Sequence, residues 1–328
     1  MERYKRSTVF GAALILFALA LRLILWQGAQ AMRFPQETMP SGNLLRPSAN
    51  LQLPQQTEPE TAPQAPAPTQ PPGREFTVAD LQKTRLQYAW DCPHRPDLQA
   101  LLLKSLDWDL LGSEPKVLIL HTHASESYTR QPGQDYMETA PYRTLDEAYN
   151  MVAVGAYLAA LLEAAGISVL HDRQIHDYPS YPDAYANSRA AAQSYLDQYP
   201  SICLVLDLHR DAAENQDGSQ YATEVDIGGQ TGAQLMLVVG TDASGNSHPH
   251  WQENLALALK LQVLLEERVP GITRQSILRA QRFNQDLSAG ALIVEVGTAG
   301  NTLEEALRAI PVLAQAIEAL IHGANQYP

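Results

Sequence analysis

Two stretches of the chain combine imidazoles and carboxylates at spacings that suit a metal ion. The apolar run Val117-Leu-Ile-Leu120 leads directly into His121-Thr-His-Ala-Ser-Glu-Ser127. Histidines two residues apart share one face of an extended chain. Glu126 follows His123 by three residues, on the turn beyond the strand end. His-x-x-Glu lets a ring nitrogen and a carboxylate oxygen converge on one ion, and both ligand types suit zinc. A second run, Leu204-Val-Leu-Asp-Leu-His-Arg-Asp211, carries His209 near its carboxyl end. Asp207, two residues earlier on the same face, can accept the second ring N–H of His209 and orient it. His123, Glu126 and His209 are therefore the candidate ligands of a Zn2+ site whose fourth position stays open.

A third apolar run, Ala291-Leu-Ile-Val-Glu-Val-Gly297, contains Glu295. Burying a carboxylate is costly unless it is paired, protonated or catalytic. Pairing would use a core arginine such as Arg210 or Arg189. The catalytic alternative makes Glu295 a general base with a raised pKa. Zinc lowers the pKa of water to about 7 and polarises a carbonyl; Glu295 would take the water's proton and hand it to a leaving nitrogen. Arg210 or His121 could stabilise the oxyanion or hold a substrate carboxylate. The chemistry these residues point to is amide hydrolysis.

Positioning such groups requires strands that end at one edge. From about residue 80 onward, short apolar runs alternate with amphipathic stretches. Strands are expected at 116–120, 167–170, 202–208, 221–226, 234–239, 275–280 and 291–296. Helices are expected at 145–165, ending at Gly166 as a C-cap, and at 183–198, 251–268 and 302–321. Asn301 or Thr302 would cap the last helix, with Glu304 and Glu305 in its first turn. This alternation predicts an α/β domain with a mostly parallel central sheet flanked by helices. In such a sheet, sites gather at the carboxyl ends of the strands, where the candidate residues lie.

The remainder of the chain is read from composition. The formal net charge is −13, and the first 33 residues hold five basic residues against Glu2, leaving about −17 for the rest. An acidic body argues against nucleic acid as a partner. Residues 9–26 are apolar apart from Arg22, near the lower limit for a membrane-spanning helix, and Arg3, Lys5 and Arg6 would hold the N-terminus in the cytoplasm. Residues 1–33 are expected to form a cytoplasmic tip and transmembrane anchor; a signal peptide cleaved near Ala29-Gln30-Ala31 is the alternative. Either way, the domain that follows is expected outside the cytoplasm. Residues 34–79, with seven prolines from Pro54 to Pro72, read as a disordered linker, and residues 80–328 as the catalytic domain. Cys92 and Cys203 have no metal or disulfide spacing, and Cys203 reads as an inert thiol in a buried strand.

The ordered runs His121-Thr-His-Ala-Ser-Glu-Ser127, His171-Asp172, His176-Asp177, Asp207-Leu-His-Arg-Asp211, Asn284-Gln-Asp-Leu-Ser288, Glu295-Val-Gly297 and Asn301-Thr-Leu-Glu-Glu305 resemble the stage II sporulation protein P family. The likeness extends from about residue 110 to the C-terminus. It implies a membrane-anchored peptidoglycan hydrolase acting during engulfment in sporulation, working with stage II sporulation proteins D and M. It also implies the fold of the zinc-dependent N-acetylmuramoyl-L-alanine amidases, similar to that of the zinc carboxypeptidases in the phosphorylase/hydrolase-like group. Such an enzyme cuts the amide between N-acetylmuramic acid and L-alanine, and also peptide cross-links. Related amidases take their carboxylate ligand from the start of the following helix, where this chain has Glu147, so Glu126 and Glu147 compete for one role. A carboxypeptidase or endopeptidase confined to stem peptides, or a non-catalytic wall-binding scaffold, are the alternative readings.

Other polar clusters have milder readings. His171-Asp172 and His176-Asp177 follow a strand and can line a groove or brace a loop. His248-Pro-His250 reads as a solvated turn. Tyr178, Tyr181 and Tyr185 can stack on sugar rings or pack locally.

Overall fold

The computed structural model describes residues 75–106, 108 and 113–324. The expected anchor, its cleavage alternative and most of the linker lie outside the described residues. Among the described residues, no helix is long and apolar enough to cross a membrane.

A seven-stranded sheet organises the domain. Its strands are β1 (Leu86–Tyr88), β2 (Val117–Leu120), β5 (Val169–His171), β6 (Leu204–Asp211), β9 (Leu235–Val239), β10 (Ser276–Leu278) and β11 (Ala291–Thr298). Two small hairpins lie apart from it: β3 (Glu138–Ala140) with β4 (Arg143–Thr144), and β7 (Glu224–Ile227) with β8 (Gln230–Ala233). The order across the sheet is β1-β10-β9-β11-β6-β2-β5. Every pairing is parallel except β9 with β11. The three strands that carry the candidate chemistry, β2, β6 and β11, are therefore adjacent and parallel at the centre, and their carboxyl ends share one edge.

Among the described residues, five helices pack around the sheet: α1 (Leu98–Leu103), α2 (Met151–Ala164), α3 (Ala184–Gln198), α4 (Trp251–Arg268) and α5 (Leu303–Ala324). The two faces are covered unequally. Leu204, Leu206, Leu208, Val294 and Val296 join one large core with α1, α2, α4 and α5. The opposite face offers Leu118, Leu120, Val205 and Ala291 to α3 and to Leu287 of the 3-10 turn Gln285–Leu287. Side chains alternate along a strand, so Asp207, His209 and Glu295 fall on the thinly covered face. Alternation thus puts the polar residues where a cleft can open, and keeps them out of the main core.

Several boundaries differ from expectation for local reasons. The helix expected from 145 starts only at Met151, because the Asn150 side chain accepts from the Val152 N–H and ends the preceding turn as an N-cap. The strand expected at 221–226 belongs to the β7–β8 hairpin, outside the main sheet, because the turn at Gly228 and Gly229, both at positive φ, folds it back on β8. β1, α1 and the β3–β4 hairpin were not anticipated. The body begins before residue 80: Thr77 and Asp80 form a capping box at the 3-10 turn Val78–Lys83. Thr302 caps α5 by accepting from the Glu305 N–H, while Glu305 accepts from the Thr302 N–H. Cys203 precedes β6 and is half-buried, with Sγ 3.4 Å from the Lys116 carbonyl, rather than sealed within a strand.

Candidate metal centre and active site

The His-x-x-Glu motif closes as a turn. The Glu126 N–H donates to the His123 carbonyl at 3.1 Å, which swings the Glu126 carboxylate back beneath its own histidine. His123 Nδ1 lies 3.5 Å from Glu126 Oε1. From β6, His209 Nδ1 lies 3.6 Å from Glu126 Oε2. One ligand atom from each of the three residues falls within 4.8 Å of the others, the only such group of three found among the described residues. Ligands about 2.0–2.2 Å from a tetrahedral zinc stand roughly 3.3 Å from one another, so the observed separations and the donor set of two imidazoles and one carboxylate fit such an ion. His209 Nε2 lies 3.0 Å from Asp207 Oδ1, close enough to pair as ions though not aligned for a hydrogen bond; a carboxylate is the partner that metal-binding histidines often have. Asp207 is itself fixed by the N–H and hydroxyl of Thr122.

The electrostatics follow from burial and crowding. Burial works against a charge on Glu126, but Arg210, His123 and His209 outweigh it and hold its pKa well below the ordinary value. Burial likewise opposes charging His209, yet Asp207 and Glu126 on either side raise its pKa well above the ordinary value. Glu295 behaves in the opposite way. It stands beside His209 in register on β11, its Oε2 is enclosed without a hydrogen-bond partner, and burial pushes its pKa up to about 8. A register shift between Glu295 and Thr298, with Gly297 at φ 67, bends β11 just beyond it.

The ion-pair reading of Glu295 is not what the structure shows. Arg189 pairs with Asp286 at 2.8 Å. Arg210 is buried and donates to the carbonyls of Ser127 and Tyr142, with Nη1 3.8 Å from Glu126. Its guanidinium is thus engaged in bracing the loop, and its backbone N–H also donates to Glu126 Oε2. Two of its five N–H groups go to these carbonyls, so the expected oxyanion contact of Arg210 falls to the others. His121 is enclosed away from that role. It is fully buried, with Nδ1 on the Leu208 carbonyl and Nε2 2.9 Å from His171 Nε2. Burial lowers its pKa to about 3.

The remaining candidates separate cleanly. Glu147 lies at the surface, paired with Arg173 and outside the three-residue cluster. His171 faces His121, and His176 Nε2 lies 2.8 Å from Asp172. Asp177 accepts from the N–H and hydroxyl of Ser125, the residue beside Glu126. His248 is buried rather than solvated, with both ring nitrogens unpartnered. It leads into α4, whose residues are buried without a break from Asn254 to Leu265, so the approach to that helix is drawn inward.

Two neighbours complete the cluster: Arg143, which no motif marks, and Tyr181, one of the tyrosines expected to stack on sugar rings or pack locally. Arg143, on β4, reaches Asp177 at 2.7 Å and Glu126 Oε1 at 3.3 Å. Tyr142 before it has φ 54, and its carbonyl serves both the Ser127 N–H and Arg210. Tyr181 stacks on His123 at 4.6 Å. Arg143 is distant in sequence from both its partners, so no local pattern marks it. Tyr181 carried a signal only as one of three tyrosines near a proline-rich turn.

The curated Stage II sporulation protein P of Bacillus subtilis (strain 168) is 28% identical over 209 residues, which is 60% of this chain and 49% of that protein. The chain thus spans about half the length of the curated relative it matches. Among solved structures, the N-acetylmuramyl-L-alanine amidase Ami1 from Mycobacterium smegmatis aligns at TM-score 0.39 and 11% identity, over 64% of this chain and 99% of that one. The CwlD amidase from Clostridioides difficile, in complex with the GerS lipoprotein, aligns at 0.38 and 14%, over 65% and 98%. The family described as Stage II sporulation protein P (SpoIIP) matches residues 45–318. With most of its length matched, the chain belongs to the stage II sporulation protein P family.

Proposed function

We propose that this protein is a zinc-dependent peptidoglycan amidase that cuts the bond between N-acetylmuramic acid and L-alanine during sporulation. The observation that carries the reading is the convergence of His123, Glu126 and His209, with Glu295 beside His209 in register, at the carboxyl edge of three adjacent strands. Family membership supports the setting. His123, Glu126 and His209 would hold the ion, and Asp207 would keep the His209 ring in place. Zinc, when bound, acidifies water and polarises a carbonyl.

The chain's own groups complete the reaction. Glu295 Oε2, enclosed and unpartnered, accepts the proton of the attacking water as its oxygen bonds to the amide carbon. The carbon–nitrogen bond then breaks, and Glu295 returns the proton to the leaving amine. Burial raises the Glu295 pKa above that of an ordinary glutamate, which suits a group that takes up a proton and returns it. Arg143 and Arg210 keep Glu126 ionised as a ligand.

The proposal extends to location and partners. The basic-then-apolar pattern of residues 1–33 supports a membrane anchor with the catalytic domain outside, and the family resemblance supports action alongside stage II sporulation proteins D and M. Mass spectrometry of purified sacculi digested by the full chain tests the reaction. Release of intact stem peptides with a free L-alanine amine is expected, and Glu295→Gln should abolish it. Products cut only within the peptide would replace the amidase reading with an endopeptidase. Binding of sacculi with no product would replace it with a scaffold.

A further inference from the structure

The segment Tyr178–Asp183 lies at the rim of the metal cluster, and the mechanism above leaves its aromatic rings unused. The Tyr181 ring lies over the imidazole of His123, with centroids 4.6 Å apart and planes 22° from parallel. The guanidinium carbon of Arg143 is also 4.6 Å from that ring's centre. His123 and Arg143 both reach the same atom, Glu126 Oε1, at 3.5 and 3.3 Å. His123 covers one face of the ring, and Tyr181 remains 51% exposed, so much of the ring surface turned away from the imidazole meets solvent. The short 3-10 turn Tyr181–Asp183 runs straight into α3, and Ser180 Oγ donates to Asp183, so the ring rests on a fixed support.

From this we infer that Tyr181 is a sugar-stacking platform, whose outer face receives the pyranose ring of the glycan strand beside the metal cluster. The inference rests on the peptidoglycan reading given above. In that substrate the scissile amide has an amino-sugar on one side and alanine on the other. Alanine offers only a methyl group, whereas a pyranose presents a broad face of C–H bonds that matches an aromatic ring. A group on the outer face of Tyr181 is separated from His123 by a single ring thickness, so a sugar there is next to the reacting bond. Tyr178, also 51% exposed and three residues earlier, can extend the platform to the next sugar.

The test uses the full chain carrying Glu295→Gln, so that nothing is consumed. Calorimetric titration measures binding of a peptide-free β-1,4-linked N-acetylglucosamine–N-acetylmuramic acid tetrasaccharide and, separately, of the free stem peptide. Aromatic contacts have a typical strength that corresponds to about ten-fold in affinity. Tyr181→Leu is expected to weaken glycan binding about ten-fold and leave stem-peptide binding unchanged. Tyr181→Phe should stay within about two-fold, because the face and not the hydroxyl makes the contact. Unchanged glycan affinity in Tyr181→Leu, or equal loss for both ligands, overturns the inference. If Tyr181→Leu sheds its zinc, Tyr181→Trp decides: it keeps the stack on His123 and enlarges the outer face, so glycan affinity must hold or rise, and a fall overturns the platform. Should the wild-type chain release no stem peptide from sacculi while glycan binding still depends on Tyr181, the amidase reading fails and the subsite stands.

Discussion

Gly155→Ala is expected to destabilise the domain, against the usual preference of helices for alanine. Gly155 lies in the fifth position of α2, where replacing glycine by alanine ordinarily stabilises by about 1 kcal/mol. Here a Cβ would stand 2.4 Å from His121 Nε2 and 2.6 Å from His171 Nε2, the two atoms that face each other at 2.9 Å. His121 is fully buried and tied to the Leu208 carbonyl through its other nitrogen, so it has nowhere to retreat. Overpacking of this kind costs about 1–3 kcal/mol, and separating the two imidazoles loses a buried hydrogen bond that contributes about 1 kcal/mol. After the helix gain is deducted, a net loss of about 1–3 kcal/mol remains. In urea, with a slope near 3 kcal/mol/M for a domain of this size, the midpoint should fall by roughly 0.3–1 M. His171→Ala opens space beneath the added methyl, so the double variant should lose less than the sum of the two single losses. An equal or higher midpoint for Gly155→Ala, with α2 intact by circular dichroism, would refute the close approach on which the argument depends.

Elemental analysis should find about one zinc per chain, absent from His209→Ala and Glu126→Ala but retained by Glu147→Ala; Asp207→Asn should lower zinc affinity by about 10–100-fold. Retention by Glu126→Ala with loss in Glu147→Ala would reverse the ligand assignment. Arg143→Met removes the bracket between Asp177 and Glu126 and should cost about 3 kcal/mol in urea unfolding; a change below about 1 kcal/mol would show the bracket to be idle. His121, His171 and His248 have folded-state pKa values lowered by burial to about 3, 4 and 4. An unfolded chain takes up these protons near pH 6.5, so stability should fall as pH drops from about 6.5 towards 4 and level off below the folded values. A melting temperature that holds or rises between pH 7 and pH 4.5 would count against it.

The local character of the candidate ligands was legible in the chain because they sit at the ends of apolar runs, and a strand's alternation dictates which residues share its face. That reasoning reaches His123 with Glu126 through three residues, and Asp207 with His209 through two. It also recovers the α/β class and the cap of α5, since both depend on neighbours in sequence. Tertiary structure decided the rest. Only the pairing of β6 between β2 and β11 brings His209 to Glu126 and sets Glu295 beside it. Glu126 and not Glu147 lies with the two histidines because a backbone bond folds one inward and an ion pair with Arg173 holds the other at the surface. Arg210, which reads as a free cation on a strand end, is occupied by carbonyls from a loop about 80 residues away. Arg143 has no signature in the sequence and Tyr181 only that of its residue type, because their roles depend on direction and contact across long separations. Side-chain type and short-range spacing are written in the chain; which charges are neutralised, which groups are shut from water and which ring faces stay open are properties of the packed domain.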